Sequence, residues 1–153
     1  MTPRSPGFAA LAALALASLI ASPLAAQQQR RYIEPRSATD STAPPFSGAV
    51  LVGNTLYLSG TIGLDANRQV PSTAAAEARL VLDNVKGSLE AAGMSMDDLV
   101  SVQIYCSDVA HYDAFNAVYR TYFRREFPAR AFLGSGTLLF GARFEVMGIA
   151  VKR

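Results

Sequence analysis

Two apolar segments near residue 50 predict a β-hairpin. Residues 49–52 and 55–58 are apolar and rich in β-forming side chains, and the dipeptide Gly53-Asn54 separates them. Because Gly and Asn tolerate the positive φ angles of tight hairpin turns, we expect two strands joined by a two-residue turn. A loop is expected over residues 64–71.

A helical period follows between residues 73 and 92. Its apolar residues recur at steps of three and four: Ala78, Val81, Val85, Leu89 and Ala92. Charged residues fall on the opposite side, as in an amphipathic helix. We expect Ser72 or Thr73 to cap the start of this helix and Gly93 to end it.

A strand and a second helix are predicted next. Residues 99–107 alternate between apolar and polar side chains, which is typical of a strand with one buried face. Cys106 lies on the apolar side, so we expect a core residue rather than a nucleophile. The second helix is expected over 111–125 and carries an aromatic stripe: Tyr112, Phe115, Tyr119, Tyr122 and Phe123. Such a stripe packs against a sheet, or part of it lines a pocket.

Two final strands are predicted at 129–134 and 143–151, with a glycine-rich connection between them. The resulting order, β-β-α-β-α-β-β, lacks the regular strand–helix alternation of a parallel sheet, so we expect the α+β class. Two helices cover only one face of such a sheet. Because 143–151 is apolar on both faces, we expect association of subunits to bury the other face.

The N-terminal segment has the pattern of a secretory signal peptide. Arg4 precedes an apolar run over 8–20, and small residues follow at Ala25 and Ala26. The run is short for a membrane span. We therefore expect residues 1–26 to be removed, a periplasmic or secreted location, and no stable membrane association afterwards; an uncleaved anchor is the alternative. The polar residues 27–44 are expected to form a flexible arm, and 45–153 the folded domain.

Composition restricts the chemistry that the chain supports. A single cysteine excludes an internal disulfide, and a single histidine without clustered ligands argues against a metal site. We expect no metal. The 14 basic and 12 acidic residues are scattered and leave a net charge of +2. Because no basic patch is interleaved with aromatic residues, we expect no nucleic-acid partner.

Two charged residues interrupt the apolar C-terminal strands. Glu145 lies in the last strand, and Arg130 lies in the strand before it. A buried carboxylate is costly unless it is paired or hydrogen-bonded. We expect the two side chains to meet at a subunit boundary, where the guanidinium binds a ligand carboxylate and the glutamate holds a water for attack on an electrophilic carbon. An ion pair that only joins subunits is the alternative.

Two further polar residues, Asn116 and Ser59, are candidates for a site. Asn116 lies at the edge of the aromatic stripe, where its amide either lines a pocket or bonds to a nearby loop. Ser59 ends the second strand, but a serine hydrolase needs a base, and His111 is the only histidine. We expect His111 to be solvated rather than catalytic.

Several segments resemble the RidA/YjgF family of reactive intermediate deaminases. They are Leu82-Asp83-Asn84-Val85-Lys86, Glu90-Ala91-Ala92-Gly93, Ser59-Gly60, Asn116 with Tyr119, Phe127-Pro128-Ala129-Arg130, and Glu145-Val146-Met147-Gly148-Ile149-Ala150-Val151. The likeness runs from about residue 45 to the C-terminus. Its most specific part is the Pro-Ala-Arg segment combined with the last strand.

The resemblance implies a chorismate-mutase-like homotrimer with three clefts between subunits. It implies that Arg130 grips the carboxylate of a small-molecule substrate, that Glu145 positions a hydrolytic water, and that Ser59, Gly60 and Asn116 shape the pocket. The implied reaction is hydrolytic deamination of enamine or imine acids, such as 2-aminoacrylate, to 2-oxo acids and ammonia. The resemblance also implies that this reaction needs no metal and no organic cofactor.

Three positions depart from the pattern of the family. Phe46, a substrate-binding candidate, stands where a tyrosine is usual, and Gly48 stands where a glutamine is usual. Phe132 occupies a position where smaller or polar residues are common, and it is expected to narrow or reshape the cleft. A non-catalytic binding module for small carboxylates and a partner-binding trimer are therefore alternative functions.

Overall fold

The computed structural model describes residues 29–34 and 39–153. The expected signal peptide lies outside these residues. Within the described part of the chain, one mixed sheet carries two α-helices on one face. None of the helices found there has both the length and the apolar character needed to cross a membrane.

The described residues form six strands in the spatial order β1-β2-β3-β6-β4-β5. Their bounds are β1 Arg30–Ile33, β2 Ala49–Val52, β3 Thr55–Ile62, β4 Leu99–Cys106, β5 Ala129–Gly134 and β6 Phe144–Val151. The pair β4–β5 is parallel, and the other neighbours are antiparallel. A parallel pair needs a long crossover, which the second helix supplies here. The α+β class is confirmed.

The predicted hairpin is confirmed. Val52 pairs with Thr55 across the turn, where Gly53 has a φ of 60°. The second strand of the hairpin continues four residues further than expected, to Ile62, because Thr61 and Ile62 pair with β6 beyond the end of β2. This extension brings Ser59 and Gly60 into the sheet.

The prediction of a flexible arm over 27–44 is wrong for Arg30–Ile33. These residues form β1, which pairs with β2, and Ile33 is buried. Main-chain hydrogen bonds to an open strand edge do not require an apolar pattern, so the polar sequence Arg-Arg-Tyr-Ile concealed this edge strand.

The first helix, α1, spans Ala74–Ala91 and matches its prediction. The hydroxyl of Thr73 accepts a hydrogen bond from the Ala76 amide at 3.2 Å and caps the helix. Gly93 follows the last turn with a φ of 75°. The predicted apolar side is buried against the sheet.

The second helix, α2, spans Tyr112–Tyr119 and is shorter than the predicted range of 111–125. The chain continues as a 3₁₀ turn over Arg120–Tyr122, and Phe123 is extended. The Thr121 hydroxyl donates to the carbonyl of Val118 at 2.7 Å, a local bond that competes with the α-helical pattern. The helical periodicity of the sequence therefore predicted a later end than the helix has.

The core lies between the two helices and one face of the sheet. Val102, Ile104 and Cys106 from β4 are buried there, as their alternation predicted. The Cys106 thiol donates to the carbonyl of Asp108 at 2.9 Å, and its predicted role as a core residue is confirmed. Val100 departs from the alternation and is 47% exposed, because the register shifts between Leu99 and Ser101.

Candidate functional site

A β-bulge in β3 carries Ser59 and Gly60. Leu58 pairs with Gly148 and Thr61 pairs with Val146, so two residues of β3 oppose the single residue Met147 of β6. A bulge of this kind bends its strand and redirects the side chains beside it. It places Ser59 and Gly60 next to the start of β6, where Glu145 lies.

The carboxyl group of Glu145 lies directly over Gly60. A Cβ added to Gly60 would overlap Oε1 of Glu145 and would lie 3.0 Å from its Cδ. Glycine is therefore required at this position for the carboxyl to keep its place. Among the described residues, the Glu145 carboxyl has no hydrogen-bond or ion-pair partner. Its oxygens are available to a water or a ligand.

Ser59 fixes the segment that precedes β2. Its hydroxyl donates to the carbonyl of Ser47 at 2.7 Å, and its amide donates to the carbonyl of Gly48 at 3.0 Å. These bonds hold the neighbouring Phe46 beside the bulge. Ser59 therefore positions the wall of the site. Its hydroxyl proton is used in the bond to Ser47, which agrees with the expectation that Ser59 is not a nucleophile.

A cavity of about 630 Å³ brings together four of the predicted site residues: Phe46, Ser59, Gly60 and Glu145. Its remaining wall is largely apolar and includes Leu139 and Phe140, from the loop before β6. The size lies within the range of small-molecule sites.

Arg130 occupies the helix side of the sheet. Its Nη1 donates to the amide oxygen of Asn116 at 2.7 Å, and its guanidinium lies 4.8 Å from the centroid of the Tyr119 ring. Between the two alternatives for Asn116, the structure supports the pocket, because the amide orients Arg130 rather than a loop. A guanidinium that is fixed by one hydrogen bond and a ring face keeps its other N–H donors for an anion.

A second cavity, of about 210 Å³, surrounds this guanidinium. It is lined by Asn116, Tyr119, Arg120, Phe127, Pro128 and Arg130. The aromatic stripe thus serves both expected purposes, because Phe115 packs in the core and Tyr119 also lines this cavity.

Burial changes the acidity of Tyr119. Removal of the phenol from water raises the pKa of Tyr119 to about 12, against a smaller opposing effect of the nearby Arg130 charge. The hydroxyl has no hydrogen-bond partner among the described residues. The phenol is therefore a buried, protonated donor beside Arg130.

Within one chain, Arg130 and Glu145 do not meet. β4 lies between their strands, and Arg130 faces the helices, whereas Glu145 lies between the core residues Phe144 and Val146 and points to the opposite face. The two residues line different cavities. The expectation that both act in one site therefore requires a second copy of the chain.

Aromatic neighbours pack against both Phe132 and His111. The Phe132 ring lies against Phe115 and Tyr112, with centroids 5.6 and 5.0 Å away, and 5.9 Å from the Arg130 guanidinium. Its effect on a cleft between subunits stays a prediction. The expectation of a solvated His111 needs correction, because this residue is half-buried and the centroid of its ring lies 6.1 Å from that of the Phe144 ring. An aromatic neighbour that is distant in sequence covers each ring, and local patterns do not reveal such contacts.

Sequence reasoning missed the residues that loops contribute. Arg68, Leu139 and Phe140 line the Glu145 cavity, but all three lie in segments that were treated as connections. One feature of the sequence could have indicated this contribution. Leu139 and Phe140 are two large apolar residues in a glycine-rich loop, where no strand or helix is available to bury them.

Residues 37–152 match the model of the family described as Endoribonuclease L-PSP. The chain belongs to this family, the RidA/YjgF family. The family match begins before residue 45, where the folded domain was expected to start.

Individual relatives agree with this membership. A 2-iminobutanoate/2-iminopropanoate deaminase from Capra hircus is 37% identical over 125 residues, which cover 80% of this chain and 90% of the relative. The crystal structure of the YjgF gene product from E. coli is 34% identical, with a TM-score of 0.68 over 71% of this chain and 89% of that one. The structure of E. coli TdcF with bound serine is 27% identical, with a TM-score of 0.69 over 72% of this chain and 91% of that one.

Proposed function

We propose that this RidA/YjgF protein hydrolyses reactive imine and enamine acids to 2-oxo acids and ammonia. Relatives at 37% and 34% identity are named 2-iminobutanoate/2-iminopropanoate deaminase, which supports the proposal. The observation that carries it is that the two groups the reaction needs, a cation and a proton acceptor, each line a cavity. Arg130 is oriented by Asn116, and Glu145 keeps unpaired carboxyl oxygens in a cavity.

Each group has one task in the reaction. Arg130 donates hydrogen bonds to the substrate carboxylate and orients C2 of the imine. Glu145 accepts a proton from a water whose oxygen attacks C2, and the electrons of the C=N bond move to nitrogen, which is protonated. The resulting carbinolamine loses ammonia as its hydroxyl becomes the C=O of the 2-oxo acid. An enamine enters as its imine tautomer.

The proposal includes a homotrimer with the site at the subunit boundary. Because Arg130 and Glu145 lie on opposite faces of one chain, two chains must contribute one residue each. The uncovered sheet face supports such an association, since Tyr57 is 50% and Met147 is 36% exposed there. Apolar exposure of this extent on a sheet face is typical of an association surface.

Phe46 and Ser59 complete the pocket in different ways. Phe46 offers an apolar ring to the substrate where the family pattern has a tyrosine, and Ser59 holds the segment that carries this ring. Neither residue supplies the attacking nucleophile. This arrangement assigns the proton transfer to Glu145 alone.

An assay with imines generated in situ tests the reaction. An amino-acid oxidase converts alanine or 2-aminobutanoate to the imine, and semicarbazide competes with the protein for it. We expect wild type to accelerate the release of 2-oxo acid. Glu145→Gln is expected to lower the rate by about 100-fold or more, because it removes the proton acceptor. Arg130→Ala is expected to lower kcat/KM by a factor on the order of 10 to 100, because it removes a charged hydrogen bond.

A matched control keeps this test specific. Arg79→Gln removes an arginine charge from α1, outside both cavities, and should leave the rate unchanged. Wild-type protein that releases 2-oxo acid no faster than buffer would contradict the proposal. Thermal stabilisation by a 2-oxo acid without turnover would instead indicate a binding module.

We further propose export, on the pattern of the first 26 residues. The protein for the assay is therefore isolated from the periplasmic fraction of an expressing bacterium. Its intact mass is expected to correspond to a chain that begins at Gln27. A full-length mass, or recovery only from the cytoplasm, contradicts this part of the proposal and leaves the reaction to be judged by the assay.

A further inference from the structure

Two strained residues meet at the rim of the Glu145 cavity. Arg68 has a φ of 61° and Phe140 has a φ of 58°, and both belong to the three non-glycine residues with positive φ in the described part of the chain. The guanidinium of Arg68 lies 5.6 Å from the centroid of the Phe140 ring. Left-handed backbone is unfavourable for such side chains and is concentrated at functional sites. Here the left-handed backbone occurs in two separate loops that line the same cavity.

Hydrogen bonds hold Arg68 in its turn. The Asp65 carboxylate accepts from the amides of Asn67 at 2.9 Å and Gln69 at 2.8 Å. The Arg68 amide donates to the Asp65 carbonyl at 2.9 Å, and the Gln69 carbonyl accepts from the Asp65 amide at 2.9 Å. This network fixes the backbone from which the Arg68 side chain projects.

The Arg68 guanidinium is available to a ligand. Within the described residues it has no ion pair and no hydrogen bond, and its one recorded contact is the Phe140 ring. A ring face attracts a guanidinium without using its N–H donors, so these remain free to bind a carboxylate in bidentate fashion.

The cavity leaves room for a second ligand group. Arg68 is the one cation and Glu145 the one anion among its lining residues, and the rest of the wall is neutral. Its volume, about 630 Å³, exceeds what an imine with a methyl side chain fills. An additional cation in a mostly apolar cavity favours a substrate that carries an additional negative charge.

We propose that Arg68, held against Phe140, makes this protein selective for 2-imino acids whose side chain ends in a second anionic group. This inference rests on the proposed deaminase function, in which Arg130 from another copy takes the first carboxylate. Arg68 then binds the distal carboxylate, and Glu145 faces the reacting carbon between them. The substrate class is that of imines derived from acidic amino acids.

The test compares two imines of similar size. Oxidation of glutamate yields an imine with a distal carboxylate, and oxidation of leucine yields a neutral one. We expect wild type to have a kcat/KM about tenfold higher for the glutamate imine, the size of one partly exposed charge-assisted hydrogen bond. Arg68→Gln is expected to bring the two values together, Arg68→Lys to keep part of the preference, and Arg79→Gln to keep all of it. Added salt should weaken the preference.

The failure of this inference is distinguishable from failure of the proposed function. Loss of turnover in Glu145→Gln, together with an unchanged imine preference in Arg68→Gln, retains the deaminase and overturns the role of Arg68. If wild type turns over neither imine, the affinities for 2-oxoglutarate and 4-methyl-2-oxopentanoate, measured by calorimetry, test the role of Arg68. Tighter binding of 2-oxoglutarate that Arg68→Gln abolishes supports the inference, whereas equal binding of the two acids overturns it.

Discussion

Glu77 shows how a single side chain supports the candidate site. It is the one fully buried charged residue of the described chain, and it joins α1 to the start of β6. Its carboxylate accepts hydrogen bonds from the amides of Arg143 and Phe144 and from Nη1 of Arg143 at 2.8 Å. The next residue along β6 is Glu145. The bonds from Glu77 to the two amides therefore fix the backbone that carries the proposed proton acceptor.

Replacement of Glu77 should therefore destabilise the fold. We expect Glu77→Ala to lower the free energy of unfolding by about 3 kcal/mol, because it leaves two amides without their acceptor and removes the carboxylate that pairs with a partly buried guanidinium. Glu77→Gln should cost less, since its amide oxygen still accepts a hydrogen bond. Urea unfolding measures both effects. Equal midpoints for Glu77→Ala and wild type would show that the pair contributes no net stability.

Tyr119 makes the stability of the fold sensitive to alkaline pH. Burial raises the pKa of its phenol from the ordinary 10.0 to about 12, so the unfolded chain loses this proton at a lower pH than the folded one. The folded state therefore holds more protons above pH 10, and its stability falls as pH rises from 10 to about 12.

The comparison of wild type with Tyr119→Phe isolates this contribution, because the half-buried Tyr122 is present in both proteins. We expect the stability of wild type relative to Tyr119→Phe to decrease between pH 10 and about 12. Denaturant unfolding at a series of pH values measures the difference. A difference that stays constant over this range would contradict the assigned cause.

At the scale of elements, the bulge in β3 and the helix α1 respond to added methyl groups in opposite ways. Gly60 lies under the Glu145 carboxyl, whereas a Cβ added to Gly87 in α1 meets no atom within 4 Å. The same substitution thus tests a close approach at one position and intrinsic helix propensity at the other.

We expect Gly60→Ala to displace the Glu145 carboxyl and to lower imine hydrolysis by about tenfold or more, since small displacements of a catalytic group are costly. Gly87→Ala is the matched control. It should keep the rate and raise the free energy of unfolding by about 0.5–1 kcal/mol, because alanine favours a helix over glycine. Kinetics and thermal unfolding of both variants give the two results. Full activity in Gly60→Ala would show that the close approach is not needed.

At the scale of the whole molecule, the proposed trimer associates through the uncovered sheet face, and the proposed site depends on that association. Ile149 is half-buried on this face, where it pairs with Tyr57 of β3 and Ser101 of β4. A charge placed there would have to be desolvated in any subunit contact across the face.

Ile149→Asp is therefore expected to convert a trimer into monomers and to abolish turnover, because one chain cannot bring Arg130 and Glu145 together. Sedimentation equilibrium gives the mass, and the imine assay gives the rate. Val109→Asp places the same charge at an exposed apolar residue outside β6, and it should leave the trimer intact. A fully active monomer would contradict the two-chain site.

Local patterns along the sequence determined most elements of this protein. Period-two alternation and helical spacing each act over a few neighbouring residues, so β2, β4, β5, β6 and α1 were predicted within a residue or two at their ends. The residue types also indicated where a site could lie, because an arginine and a glutamate in apolar strands need a partner or a ligand. They left a plain ion pair open, and the resemblance to the family supplied the chemistry.

Only the tertiary structure decided how these residues are arranged. The order β3-β6-β4-β5 separates the strands of Arg130 and Glu145, and the register turns their side chains to opposite faces. Likewise, pairing across the sheet revealed β1 and the bulge, and two loops far apart in sequence brought Arg68 onto Phe140. Each of these features depends on contacts between distant segments, and local spacing carries no information about such contacts.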